Sequence, residues 1–201
     1  MGNTSEFEVN GSPLKISQSG NYTWDGNVTI SVDNNPGSFS MKIRIPGWAQ
    51  GNPVPSDLYT YTNTVKDKPY TVKLNGKEVE STLDKGYFTI TRDWKQGDKV
   101  DIQFAMNPRI VKAHDAVEAD RGMVAVERGP IVYCAEWPDN NFDLNDVKLN
   151  TKSKFKAGRD ESLGGFIRLT NKTHSLIPYY AWNHRGPGMM KVWIPEKVIH
   201  R

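Results

Sequence analysis

Few side chains in this sequence are typed and spaced for chemistry. The single thiol, Cys134, lies in Ile131-Val132-Tyr133-Cys134-Ala135, an apolar strand pattern with no histidine nearby in sequence. Such a cysteine reads as a small buried hydrophobe rather than a catalytic thiolate. His114, His174, His184 and His200 are scattered and form no pair at metal-ligand spacing. Glu127 and Glu136 flank the turn Arg128-Gly129-Pro130 and are the one pair of carboxylates that local structure could bring together. They read more simply as solvated or salt-bridged hairpin residues than as a glycosidase acid pair. No Gly-x-Ser-x-Gly elbow is present, and Gly86, Gly97 and Gly186 stand too isolated to cradle a phosphate. The sequence therefore nominates no catalytic residue, no metal and no cofactor.

The stretch richest in recognition chemistry is Pro178-Tyr179-Tyr180-Ala181-Trp182-Asn183-His184-Arg185-Gly186-Pro187-Gly188. A pyranose face packs on an aromatic face while polar groups bind its hydroxyls. Tyr179, Tyr180, Trp182 and Arg185 are thus the candidates for a carbohydrate contact. Packing in a core or between domains, with Arg185 fixing a turn, accounts for the same residues and remains the plainer alternative.

The elements that must position these groups are strands. Phe39–Ile45 and Val100–Met106 alternate apolar and polar residues with a period of two. Tyr70–Leu74, then Asn75-Gly76, then Lys77–Val79 predicts a hairpin on a type I′ turn. Asp33–Gly37 reads as a loop between strands at 27–32 and 39–45, and Lys95-Gln96-Gly97-Asp98 as another turn. Further strands are expected at 14–17, 86–91, 122–127, 131–136, 166–170 and 190–194. The Pro-, Gly-, Asn-, Ser- and Thr-rich run 47–67 reads mostly as an ordered excursion between strands. No long stretch has a clean helical period. The expectation is an all-β, antiparallel β-sandwich protein, built as two small sandwich subdomains in tandem: residues 1–114 and 115–201, with the boundary within 108–121.

Composition narrows the function classes. A net charge of +3 on 201 residues, with Lys and Arg spread along the chain, leaves no footprint for nucleic acid. No apolar run is long enough to span a bilayer. One cysteine allows no internal disulfide, which suits cytosol, periplasm and exterior alike. Met1-Gly2-Asn3-Thr4-Ser5-Glu6 has neither the basic nor the apolar region of a leader, and the chain reads as opening in mid-domain.

Six segments in one order carry a resemblance. They are Ile43-Arg44-Ile45-Pro46-Gly47-Trp48, Val72-Lys73-Leu74-Asn75-Gly76, Gly86-Tyr87, Trp94-Lys95-Gln96-Gly97-Asp98, Arg128-Gly129-Pro130-Ile131-Val132-Tyr133 and Tyr179 to Gly188. The series, spanning roughly residues 12–195, is similar to the C-terminal part of the β-L-arabinofuranosidases of glycoside hydrolase family 127. The resemblance implies an N-terminal (α/α)6 barrel that carries a cysteine nucleophile, a zinc site and a glutamate acid/base, none of which maps onto a position here. It implies that this chain is a non-catalytic accessory region whose partner is that barrel. It leaves open a homodimer and, as the competing reading, a carbohydrate-binding module. A region severed from its barrel should also expose an apolar patch of several hundred Å2, by the usual size of such surfaces.

Overall fold

The structure is a computed structural model that describes residues 2–62 and 68–197. Its secondary structure is strands and single turns of 3-10 helix, and its sheets are antiparallel throughout. The contacts divide the chain into two units, Met1–Gln50 with Asp67–Ala105 and Gly51–Lys66 with Met106–Arg201.

The first unit opens with β1 (Asn3–Val9), β2 (Ser12–Gly20), β3 (Asn27–Val32) and β4 (Gly37–Arg44). The chain then passes into the second unit for β5 (Tyr59–Tyr61), and the part of the excursion at 63–67 lies outside the described residues. It returns with β6 (Tyr70–Leu74), β7 (Lys77–Glu78), β8 (Tyr87–Trp94) and β9 (Lys99–Phe104). Six strands form one sheet in the order β1-β2-β3-β9-β6-β7, while among the described residues β4 and β8 form a separate two-stranded sheet. The two clean alternating segments end up in different sheets: Met41 and Ile43 of β4, and Val100, Ile102 and Phe104 of β9, are buried. Trp94 is 1% exposed, stacks on Phe39 at 5.5 Å between ring centroids, and donates its indole N–H to the Phe39 carbonyl at 3.0 Å.

Turn chemistry sets the register. Asn75 and Gly76 have φ of 49° and 80°, which closes the β6–β7 hairpin with Leu74 opposite Lys77. The same device closes β1–β2: Asn10 and Gly11 have φ of 52° and 76° with Val9 opposite Ser12. The two turns nearest β9 are tied together. Asp98, 7% exposed, accepts from Asn75 Nδ2 at 2.7 Å and from the Lys95 amide at 2.9 Å, and the Lys99 amide donates to Asn75 Oδ1 at 2.8 Å. Burial pushes the Asp98 carboxyl up, but the Asn75 and Lys95 donors with Arg92 outweigh it and hold it below the usual range.

The second unit adds β10 (Pro108–Ala113), β11 (Met123–Arg128), β12 (Ile131–Glu136), β13 (Lys156–Asp160), β14 (Phe166–Thr170), β15 (Ser175–Pro178), β16 (Met190–Lys191) and β17 (Ile194–Pro195). The main order is β13-β14-β15-β12-β11-β10-β5. The hairpin β11–β12 turns on Gly129-Pro130, with φ of 58° at Gly129 as a type II′ turn requires. Away from that turn its strands part. β16 pairs with the far end of β12 and β17 with the far end of β11, so one short segment bridges the gap. Val124, Val126, Tyr133, Cys134, Leu149, Leu169, Leu176, Ile177 and Ile194 fill the interior.

Trp94 packing is the measurable consequence. Trp94→Ala should cost about 3–5 kcal/mol, the range for emptying a buried aromatic site, read as a fall in the urea midpoint. A loss below about 1 kcal/mol, typical of a surface change, would show that the first unit does not rest on this ring.

Candidate functional site

The candidate residues sit on one loop, and the loop is held by a buried ion network. Glu136 ends β12 and is 2% exposed. Its Oε1 accepts the Asn183 amide at 2.8 Å, and its Oε2 accepts Nη2 of Arg185. Asp139, one turn on, accepts from Arg185 Nη1 at 2.7 Å and from Nη2 at 2.5 Å. Arg168 of β14 bridges from Asp139 (2.7 Å) to Asp160 at the end of β13 (2.5 Å). Three carboxylates and two guanidiniums therefore run in series from β12 through the aromatic loop to β14 and β13. Asn140 extends the join by donating to the carbonyls of Glu136 and Ser175, at 2.9 and 3.0 Å.

Charge positions follow from these contacts. Burial alone would raise the Asp139 carboxyl, but the hydrogen bonds from Arg185 and the charge of Arg168 overcome it and hold it below its usual range. Hydrogen bonds from Ser162, then from Arg168, bring Asp160 down to about 2. Asp139, ahead of Glu136, holds the Arg185 guanidinium charged against the opposing effect of burial. The Nε of Arg185 is buried without a partner.

The loop itself is a turn of 3-10 helix, Tyr179–Ala181, with Ala181 buried as its anchor. Tyr179 and Tyr180 are 45% and 56% exposed. Tyr179 stacks on half-buried Trp182 with 14° between the rings. Asn183 and Gly186 take φ of 65° and 95°, turning the chain so that Arg185 points inward. Gly188 lies against the Trp137 indole, where a Cβ would overlap the ring. Trp137 and Met189 are also exposed, and the Trp137 amide donates to the Met189 carbonyl at 3.0 Å. The sequence thus brings Tyr179, Tyr180, Trp182 and Arg185 to one loop, but separates their roles: the rings face outward while Arg185 spends its fork on Glu136 and Asp139. Sequence reasoning missed Glu136, Asp139 and Arg168 as partners of this loop, because they lie on other elements, Glu136 and Asp139 more than forty residues away.

Glu127 and Glu136 do not form an acid pair. Glu127 sits opposite Val132, four residues before Glu136, which is roughly 13 Å along an extended strand. Glu127 instead accepts the Tyr61 hydroxyl at 2.8 Å, with Arg109 over the Tyr61 ring at 4.7 Å, and burial raises its carboxyl. Cys134 is wholly buried and its thiol is pushed up to about 12, first by burial and then by Glu136 and Asp139. Among the described residues, no three of His, Cys, Asp and Glu are grouped to hold a metal ion. The His174 amide donates to Asn171 Oδ1 at 2.7 Å and its ring Nε2 donates to the Lys148 carbonyl at 3.1 Å, and His200 lies outside the described residues.

The ion network has a pH signature. A carboxyl depressed on folding stabilises the native state above its unfolded pKa, near 3.9, and loses that contribution as pH falls through the folded value. Stability should therefore drop between about pH 4 and pH 2, and Asp139→Asn should flatten that part of the profile. An unchanged profile in the variant would mean that Asp139 is not held by its arginines.

The comparisons with known proteins also divide the chain near residue 106, with the excursion 51–66 falling in the first match. Residues 1–106 match the family model described as the GH127 middle domain of β-L-arabinofuranosidase, and residues 108–195 match the one described as the glycoside hydrolase family 127 C-terminal domain. A non-reducing end β-L-arabinofuranosidase of Bifidobacterium longum is 28% identical over 96% of this chain and 32% of its own length. Among solved structures, a GH127 β-arabinofuranosidase is 44% identical with a TM-score of 0.89, over 98% of this chain and 34% of that one. A GH127 β-L-arabinofuranosidase from Geobacillus stearothermophilus T6 is 33% identical with a TM-score of 0.79, over 96% and 32%. The chain thus spans about a third of the length of the relatives it matches. Two domain matches in sequence order, together covering nearly all of its length, place it: the chain belongs to glycoside hydrolase family 127, of which it carries the middle and C-terminal domains.

Proposed function

We propose that this chain is the non-catalytic accessory β-sandwich region of a glycoside hydrolase acting on β-L-arabinofuranosides, and that it supports a catalytic (α/α)6 barrel lying N-terminal to it in the complete polypeptide. The observation that carries this reading is the state of the only thiol. A nucleophilic cysteine needs thiolate character and access, and Cys134 has neither, locked in β12 with its proton held to about pH 12. The relatives, whose names give them arabinofuranosidase activity, are three times as long, which leaves ample chain for a catalytic domain.

The outward rings of Tyr179 and Tyr180, with half-buried Trp182 stacked behind Tyr179, are then a contact surface for the rest of that polypeptide, and Arg185 is the internal clamp that shapes them. Large rigid rings suit an interface because they bury much area for few rotatable bonds. A sugar platform built on the same loop would lack its charged donor, since both terminal nitrogens of Arg185 are engaged by carboxylates.

Two assays test the proposal. The 201-residue chain should release no product from an aryl β-L-arabinofuranoside, whereas the complete polypeptide should. Calorimetric titration of the chain with arabinose-containing oligosaccharides should give no saturable heat. Turnover by the chain alone, or saturable binding abolished by Trp182→Ala, would overturn the accessory reading.

A further inference from the structure

The first unit contains an apolar cleft of about 450 Å3 that the reaction chemistry above does not use. It is lined on one side by Ile16, Val28, Ile30, Ile102 and Phe104 of β2, β3 and β9, neighbours in the six-stranded sheet, and on the other by Met41 and Ile43 of β4. Lys42 and Arg44 stand at its rim, and no acidic residue lines it. No residue of β8 contributes, so the cleft opens on the side of β4 away from its only partner strand.

The backbone of β4 is in phase with this opening. The Ile45 amide bonds to the Gly86 carbonyl at 2.9 Å, and Ile43 lies opposite Phe88 and Met41 opposite Ile90. Hydrogen-bonded and non-hydrogen-bonded pairs alternate along an antiparallel ladder. The amides and carbonyls of Met41 and Ile43 therefore face β8, while those of Ser40, Lys42 and Arg44 face outward beside the cleft. Among the described residues no strand pairs with that edge. One outward carbonyl, that of Ser38, is met by the Asn10 side chain at 3.3 Å. A sandwich layer of two strands opposite one of six leaves Ile16, Val28 and Ile30 half-buried, whereas Val32, Ile102 and Phe104 beyond them are buried.

We propose that the free edge of β4 receives an extended segment of the same polypeptide from outside residues 1–201, which pairs with Ser40–Arg44 as a third strand and drops its alternate apolar side chains into the cleft. Strand addition supplies main-chain hydrogen bonds along the edge and pockets for alternate side chains, and both are prepared here. Lys42 at the rim selects a segment with a carboxylate beside it, whereas the Arg44 guanidinium is spent on the β8 side, on the Tyr87 ring and the Lys85 carbonyl. The relatives are about three times the length of this chain, and a segment tethered in the same polypeptide meets the edge intramolecularly, without the cost of a second molecule. A small-molecule site of this size would need several converging polar groups, and apart from the two rim cations the lining offers only Gln18 and Tyr22. The proposal rests on the reading of the chain as part of a longer enzyme.

Hydrogen exchange resolved at residues 37–46 tests it, on the 201-residue chain and on the complete polypeptide. The Met41 and Ile43 amides should be slow in both. The Lys42 and Arg44 amides should exchange freely in the chain alone and slow by at least about 100-fold in the complete polypeptide, as a paired interior amide does. Equal rates in the two samples would overturn the proposal. So would protection in the chain alone that rises with its concentration, which would make the occupant a second copy. Arabinofuranosidase activity of the same complete polypeptide separates the two claims. An active enzyme with unprotected Lys42 and Arg44 loses only the strand, and an inactive one with protected amides loses only the activity.

Discussion

The second unit depends on how one buried carboxylate is answered. Glu136 lies at the end of an interior strand with 2% of its surface exposed, where an unpaired charge would cost several kcal/mol. Its partners come from a loop forty-seven and forty-nine residues later, an amide from Asn183 and a guanidinium from Arg185. The loop therefore has no freedom to sit elsewhere. Arg185 must turn inward, which sets the positive φ at Asn183 and Gly186, and the rings of Tyr179 and Tyr180 are left on the outside. Asp139 shares the guanidinium and passes the constraint through Arg168 to β13 and β14. One charge thus ties three strands, β12, β13 and β14, to the aromatic loop and sets the shape of its exposed surface.

The first unit is held by a different economy, in which small polar side chains register turns and one ring fills the core. The Asn75–Asp98 link joins the β6–β7 turn to the β8–β9 turn, so that two segments of the family-like series are halves of one hydrogen-bonded structure. The same holds for two others. Ile45 bonds to Gly86, Arg44 caps the Tyr87 ring at 5.3 Å and donates to the Lys85 carbonyl, and Trp48 packs on Phe104. These four segments of the family-like series are thus contacts that close the first unit.

Local physics was legible in the sequence and distant pairing was not. The hairpin at Asn75-Gly76, the turn at Gly129-Pro130 and the strands 131–136 and 166–170 follow from period and turn residues alone. The hairpin at Asn10-Gly11 carries the same signal but is flanked by polar residues, and β1, exposed at nearly every position, shows no apolar alternation to betray it. That β4 and β9 lie in different sheets is a matter of pairing, which period two cannot encode. Arg185 was legible as a residue that fixes a turn, yet its partner was not, because nothing local to the loop announces that Glu136 lies beneath it.

The account stands most directly on the coupling between Glu136 and Arg185, which a double-mutant cycle by urea unfolding measures. Glu136→Gln and Arg185→Met should each cost about 3–5 kcal/mol, the toll of stranding one member of a buried pair. The double variant should cost little more than the worse single one, a coupling of at least about 2 kcal/mol. Additive losses would mean that the two residues act independently, and that the loop is held in place by something other than the buried charge.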